Sequence, residues 1–260
     1  MKIVPAKNGW LWLARGFRLF RKSPATWTLL VFTYWILIAL LNQVPVAGPL
    51  IATLFLPAFS VSFMAMCDVL DRGGKLHPVL LFAGFRRELP TLVTMGGLYL
   101  ASIMAVLALS ALADGGALLN WIVHADAPPV SAIQDGSLQR AVIVAAVAGT
   151  PVVMAFWFAP VLAAWEGMGA AKALFFSFFA GLRNWRAFLI YGLALVIAGS
   201  AFSALLATAT VLLRGNPGMA RMLLFVAVLA SLPTIFGSFY AAYRDVFPPS
   251  TVTDEPAAAA

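Results

Sequence analysis

The chain has 260 residues, of which 62% are hydrophobic and only 10% charged. A soluble domain carries roughly 25% charged residues, so the polar surface is too small to cover a water-soluble particle, and the bilayer must be the solvent for much of the chain. The formal charge is +7, but the bases flank apolar runs, as membrane orientation requires; a basic nucleic-acid-binding face and a nucleic-acid partner are not expected. The single cysteine, Cys67, excludes an intramolecular disulfide and cysteine-based zinc sites and reads as a packing residue.

Lys2 and Lys7 are not followed by the short apolar core and small-residue cleavage site of a signal peptide, so none is expected. The first element is a basic amphipathic stretch. On a helix, Trp12, Leu13, Gly16, Phe17 and Phe20 fall on one side, and Arg15, Arg18, Arg21 and Lys22 on the other, with Leu11 as a blemish among the bases. Such a helix lies in the headgroup layer, apolar side down and bases toward anionic lipid.

A spanning helix needs about 20 mainly apolar residues. No charge occurs from Ser23 to Cys67, enough for two spans, and Asn42–Pro49 carries the turn formers of a hairpin. The first two spans are therefore expected over 24–41 and 49–67. Further uncharged runs give spans three to six over 89–113, 141–165, 187–213 and 222–243. A longer loop, 114–139, joins the third and fourth spans, and Arg214–Gly218 turns the chain between the fifth and sixth. The tail, 248–260, is rich in Pro, Thr and Ala and is expected to be disordered. Residues 1–247 read as a single membrane domain.

Lys and Arg set the orientation. With the N-terminus inside, cytoplasmic segments hold 14 of the 17 bases, and the outer side holds only Arg140, Arg214 and Arg221. The expected fold is an all-α polytopic membrane protein with six spans, three amphipathic interfacial helices and both ends in the cytoplasm.

A weak internal repeat underlies this layout. Gly16-Phe17-Arg18, Gly84-Phe85-Arg86 and Gly181-Leu182-Arg183 precede the odd-numbered spans. The even-numbered spans close on Ala65-Met66-Cys67-Asp68, Ala163-Ala164-Trp165-Glu166 and Ala242-Tyr243-Arg244-Asp245. The implied units are 9–72, 75–168 and 169–247, each placing bases and one acid at the cytoplasmic interface. Asp68, Glu166 and Asp245 would form a charge ring, either as structural salt bridges with bases such as Arg72 and Arg244 or as a gate. Anionic lipid would meet Arg15, Arg18, Arg21, Lys22, Arg86, Arg87, Arg183 and Arg186.

The run Ala6-Lys7-Asn8-Gly9-Trp10, the stretch ending Arg21-Lys22-Ser23-Pro24, and Pro45-Val46-Ala47-Gly48-Pro49 followed by Leu56-Pro57 are similar to a family of uncharacterised six-span inner-membrane proteins of proteobacteria. More distantly, the layout resembles the membrane domain beside some glycerophosphodiester phosphodiesterases, but that catalytic domain has no counterpart here. The resemblance implies a bacterial inner membrane and no known active site.

No residue set makes a convincing catalytic centre, and neither a metal nor a cofactor is expected. In this topology His77 and His124 lie on opposite sides of the bilayer and cannot share a metal. His124, Asp126 and Asp135 of the outer loop are the only support for an enzyme. The span cores carry no charge, which argues against a proton-coupled transporter or ion pump. Their hydroxyls, among them Thr33, Ser60, Ser62, Ser110 and Ser238, suit helix packing better than a substrate path. Trp10, Trp12, Trp27, Trp121, Trp165 and Trp185 are expected as interface anchors, and Trp35 and Trp157 as deeper packing residues. The leading functional expectation is a non-enzymatic scaffold or lipid-interacting protein; the alternative is a transporter or channel for a small or lipid-like molecule.

Overall fold

The computed structural model describes residues 1–124, 127–212 and 216–248. Among these, the helices are α1 (Asn8–Lys22), α2 (Pro24–Leu41), α3 (Ala47–Asp71), a 3-10 helix (Pro78–Arg86), α4 (Leu89–Asp114), α5 (Ala117–His124), α6 (Val130–Gln134), α7 (Ser137–Trp157), α8 (Ala159–Glu166), α9 (Ala170–Arg183), α10 (Trp185–Leu212) and α11 (Pro217–Val246). Six are long and apolar enough to cross a membrane: α2, α3, α4, α7 continued by α8, α10, and α11. The expected spans are all present, and the described residues contain no strand. Asp126, Arg214 and the tail beyond 248 lie outside the described residues.

The chain divides into two compact units. One comprises Met1–Arg21 and Asn184–Ala260, so α1 groups with α10 and α11; the other is Lys22–Arg183.

In the second unit, α4 packs between α3 and α7, the 3-10 helix lies on α3, and α9 lies on α7 and α8. The hairpin between α2 and α3 turns on Val46 at φ 63 and ψ −56, with the Ala47 N–H bonded to the Pro45 carbonyl at 2.6 Å. This is the γ-turn of positive φ, which is strained for a β-branched residue. A Cβ on Gly48 would enter the Leu41 carbonyl, and one on Gly96 the Leu54 carbonyl, so glycine lets these helices approach at backbone distance.

Three details depart from expectation. The second interfacial helix is of the tighter 3-10 form, and its Gly84 N–H bonds to Ser62 Oγ at 2.9 Å. The fourth span is broken at Phe158. Pro160 cannot donate to the ladder, and Ser177 Oγ enters the gap, accepting from the Phe158 N–H at 2.9 Å and donating to the Met154 carbonyl at 2.8 Å. The connection 114–139 carries two short helices, α5 and α6.

In α3, α8 and α10 burial lies toward the end that meets a basic segment, whereas α7 is buried at its other end, at Ser137 and Ala141. The buried stretch of α3 runs from Pro57 to Leu70, α8 is buried from Ala159 to Ala164, and on α10 only Ala187, Tyr191 and Ala194 are buried.

Candidate functional site

Each basic segment is seated on an even-numbered span by a glycine. On α1 the buried residues are Gly9, Trp12, Gly16 and Leu19, spaced at helical intervals. A Cβ on Gly9 would enter the Ala187 carbonyl of α10, and one on Gly16 the Thr234 carbonyl of α11. A Cβ on Gly237 would in turn lie 2.8 Å from the Gly16 Cα, so the two backbones touch without side chains between them. On the 3-10 helix, a Cβ on Gly84 would enter the Ala58 carbonyl of α3. On α9 the seat is softer: a Cβ on Gly181 would meet only the Met154 side chain, nearest at 3.3 Å.

A serine hydroxyl accompanies each seat. Ser62 Oγ donates to the Ala58 carbonyl at 3.1 Å while accepting from Gly84. Ser177 Oγ bridges the break between α7 and α8. Ser238 Oγ donates to the Ile235 carbonyl at 2.6 Å and shares a hydrogen bond with the Tyr191 hydroxyl at 2.6 Å. These hydroxyls therefore serve helix contacts, where each buried donor and acceptor is paired.

The three acids expected in a charge ring differ in their partners. The Asp245 carboxylate accepts three hydrogen bonds: from Asn8 Nδ2 at 2.8 Å, Trp12 Nε1 at 2.8 Å and Arg15 Nη1 at 2.6 Å. The basic partner is Arg15, not the expected Arg244, whose guanidinium lies over the Tyr240 ring at 5.9 Å. The Val4 N–H donates to Asn184 Oδ1 at 2.8 Å, Asn184 Nδ2 to the Lys2 carbonyl at 3.2 Å, and the Lys2 N–H to the Val246 carbonyl at 2.7 Å. The start of the chain is thereby tied both to Asn184, just before α10, and to the end of α11. Asp68 pairs with Arg72 at 2.9 Å, four residues on and just past the end of α3, and Glu166 is exposed at the end of α8.

The eight bases expected at lipid divide accordingly. Arg15 is committed to Asp245, and Lys22 donates to the Leu70 carbonyl at 2.8 Å. Arg18, Arg21, Arg86, Arg87, Arg183 and Arg186 are exposed. Exposed apolar groups stand beside them: Trp10 and Phe17 on α1, Phe82 on the 3-10 helix, Phe179 and Leu182 on α9, and Trp185 at the start of α10. The Arg186 guanidinium lies 5.5 Å from the Trp185 ring centre, a cation–π pair.

Two groups of residues correct the helical-wheel reading. Phe17 is exposed, while Leu19 is buried, so the face of α1 that enters the protein is narrower than the apolar arc. Trp12 and Trp27 are fully enclosed rather than interface anchors, Trp12 because Asp245 takes its N–H, and Trp27 because it stacks on Phe63. Trp35, expected to pack, is 47% exposed. Trp10, Trp121 and Trp185 are exposed as anchors require. His77 opens the 3-10 helix in extended conformation, and His124 is exposed at the end of α5. Among the described residues no group of three or more His, Cys, Asp or Glu could hold a metal.

Comparison with known proteins gives one informative relative. Over 253 residues the chain is 39% identical to a protein of Burkholderia thailandensis named as a probable inner membrane protein, covering 94% of this chain and 92% of the relative. The chain belongs to the family of that protein. With six apolar helices of spanning length, it is a multi-pass protein of the bacterial inner membrane. No family model matches, and no solved structure matches. The more distant likeness to the membrane domain beside glycerophosphodiester phosphodiesterases finds no support in these comparisons.

Proposed function

We propose that the protein is a non-enzymatic scaffold of the inner membrane that gathers anionic lipid at its basic face. The observation that carries this reading is a division of labour along the basic segments. One side is locked to a span through glycine, while six arginines and a row of aromatic and aliphatic side chains remain exposed. Exposed aromatics suit headgroup depth, and bases beside a membrane attract anionic lipid by about 1 kcal/mol each. The excess of bases on one set of connections supports both ends lying in the cytoplasm. The recurrence of one joint, a glycine of the basic segment against an even-numbered span with a serine at the contact, supports three repeat units over 9–72, 75–168 and 169–247.

Native mass spectrometry of the protein in nanodiscs tests the proposal. Wild type should retain phosphatidylglycerol in preference to phosphatidylcholine. Replacing Arg18, Arg21, Arg86, Arg87, Arg183 and Arg186 by Gln should abolish that preference while leaving Arg15 and Lys22 in their bonds. Equal retention of phosphatidylglycerol by the variant would end the lipid reading.

A transporter of small or lipid-like molecules is the competing reading. Its specific support is the broken fourth span, since discontinuous helices recur at transporter binding sites. Substrate flux in proteoliposomes that responds to Ser177→Ala would favour it.

A further inference from the structure

The connection between α4 and α7 is built from different materials than the basic segments. Residues 114–139 contain no Lys or Arg, and their acids are Asp114, Asp126 and Asp135. Two of these acids are used in turns. The Asp114 carboxylate accepts from the Gly116 N–H at 2.9 Å and the Leu118 N–H at 2.7 Å, starting α5. The Asp135 carboxylate accepts from the Ser137 N–H at 2.8 Å, at the start of α7. Leu118 and Ala132 point inward and are buried. Trp121, Ile122 and Val123 on α5, and Val130 and Ile133 on α6, are all exposed, from 47% at Trp121 to 66% at Val130.

We propose that α5 and α6 form a second membrane-interface element, seated in the leaflet opposite the 3-10 helix and α9 and held there by apolar contact without preference for anionic headgroups. Placement carries the first part. The spanning helix α4 ends at Asp114 and the spanning helix α7 begins at Ser137, and α5 packs on both while α6 packs on α7. Gly115 and Gly116, at φ 64 and 94, reverse the chain within two residues, so the tip of α5 stays beside the point where α4 leaves the hydrocarbon. Five large apolar side chains held at that depth face acyl chains and headgroups, with Trp121 as the amphipathic anchor. Charge carries the second part. α5 and α6 carry no Lys or Arg, and the exposed base beside them, Arg140 in the first turn of α7, donates to the Asp135 carbonyl at 3.3 Å, so the element lacks the cluster of bases that draws anionic lipid.

Spin labels on the full-length protein in phosphatidylcholine nanodiscs test this directly. Cysteine is introduced by Ile122→Cys or Ile133→Cys; Cys67 is buried and stays unlabelled. Two references bracket the result: Leu112→Cys, 83% exposed on the spanning helix α4, and Lys75→Cys, exposed in the connection after α3. The ratio of oxygen to nickel-chelate collision at 122 and 133 should lie near that of 112 and several-fold above that of 75. It should not change when phosphatidylglycerol replaces phosphatidylcholine. A ratio matching position 75 places the element in water, and a label reached by neither reagent places it under protein; either result overturns the proposal. A ratio that rises in phosphatidylglycerol shows a preference for anionic lipid and overturns that part of the proposal. The proposal is independent of the basic face, so loss of anionic selectivity there leaves it standing.

Discussion

The segments that precede the odd-numbered spans and the turns that follow them are held by opposite means. A preceding segment is fixed by tertiary contact: backbone on backbone at Gly16 and Gly84, a hydroxyl threaded into a helix at Ser177, three donors on one carboxylate at Asp245. A following turn is fixed by its own backbone: a γ-turn at Val46, an Asp114 cap on α5, an Asp135 turn into α7. Apolar side chains in lipid gain nothing by leaving it for one another, so a membrane bundle needs close backbone approach and paired polar groups to fix its helices. Close backbone approach also occurs at Gly48 and Gly96, but this chain combines it with paired polar groups at the basic segments. Changes there should therefore weaken the whole fold, and changes in the turns should be felt locally.

The glycine seats give the largest expected effect. Gly16→Val or Gly84→Val drives a branched side chain into a carbonyl that belongs to a spanning helix. Overpacking of side chains costs about 1–3 kcal/mol, and a clash with backbone should fall at or beyond the top of that range. The proteins should show a large drop in thermal unfolding temperature in detergent. Gly181→Ala is the control, since only the flexible Met154 side chain faces it, and it should be tolerated. If Gly16→Val melted like wild type, the seat on α11 would not exist as described.

Asp245→Ala should follow, at about 2–3 kcal/mol, because it leaves the enclosed Trp12 indole N–H without an acceptor and frees Arg15. Arg15→Ala should cost less, since Asn8 and Trp12 still serve the carboxylate. Ser177→Ala should cost about 1–3 kcal/mol, by stranding the Phe158 N–H and the Met154 carbonyl inside the fourth span. Unfolding followed by tryptophan fluorescence ranks the three. A Ser177→Ala protein as stable as wild type would mean that α7 and α8 close into one helix without the hydroxyl.

The extent to which this was legible from sequence divides along the same line. Spans are set by runs of apolar residues, a local property, and all six expected runs coincide with helices within a few residues. The glycines of the basic segments were legible as a repeated Gly-x-Arg, and the structure gives that glycine its physical reason. Trp12 and Arg15 were not legible. Both belong on an interfacial helix by composition, and nothing within the first 22 residues reveals that Asp245, 230 positions beyond Arg15, takes a proton donor from each. Trp27 and Trp35 were exchanged for the same reason: depth in a span says nothing about which side of the helix meets protein. The break at Phe158 was not legible: Pro160 falls inside the expected fourth span, and Ser177, which fills the gap, lies on another helix.

In the turns the effects should be small and can be of either sign. Val46→Gly removes a β-branched residue from positive φ, where the penalty for an L-residue is about 1–2 kcal/mol. The unfolded chain gains some entropy from the glycine, so the net result should be a modest gain in unfolding temperature. A loss would show that the exposed Val46 side chain contributes contacts in the membrane that outweigh its backbone strain.

The smallest effect should come from Asp135, and it carries a pH signature. The Ser137 backbone N–H bonded to its carboxylate holds Asp135 below the usual carboxylate range, with the Ser137 side chain and Arg140 acting in the same direction. A carboxylate whose folded value is depressed contributes stability that is present at neutral pH and lost as pH falls through the folded value. The group is fully exposed, so solvent screens the interaction and global unfolding should scarcely register it. The local environment should register it: a spin label at Ile133→Cys should gain mobility as pH falls below the ordinary range of aspartate. In the added Asp135→Asn background the pH dependence should vanish, because the amide no longer titrates. If instead acid shifted the unfolding temperature of the whole protein through Asp135, this turn would be coupled to the spans, and the contrast between tertiary joints and local turns would fail at the very connection that most clearly depends on its own backbone.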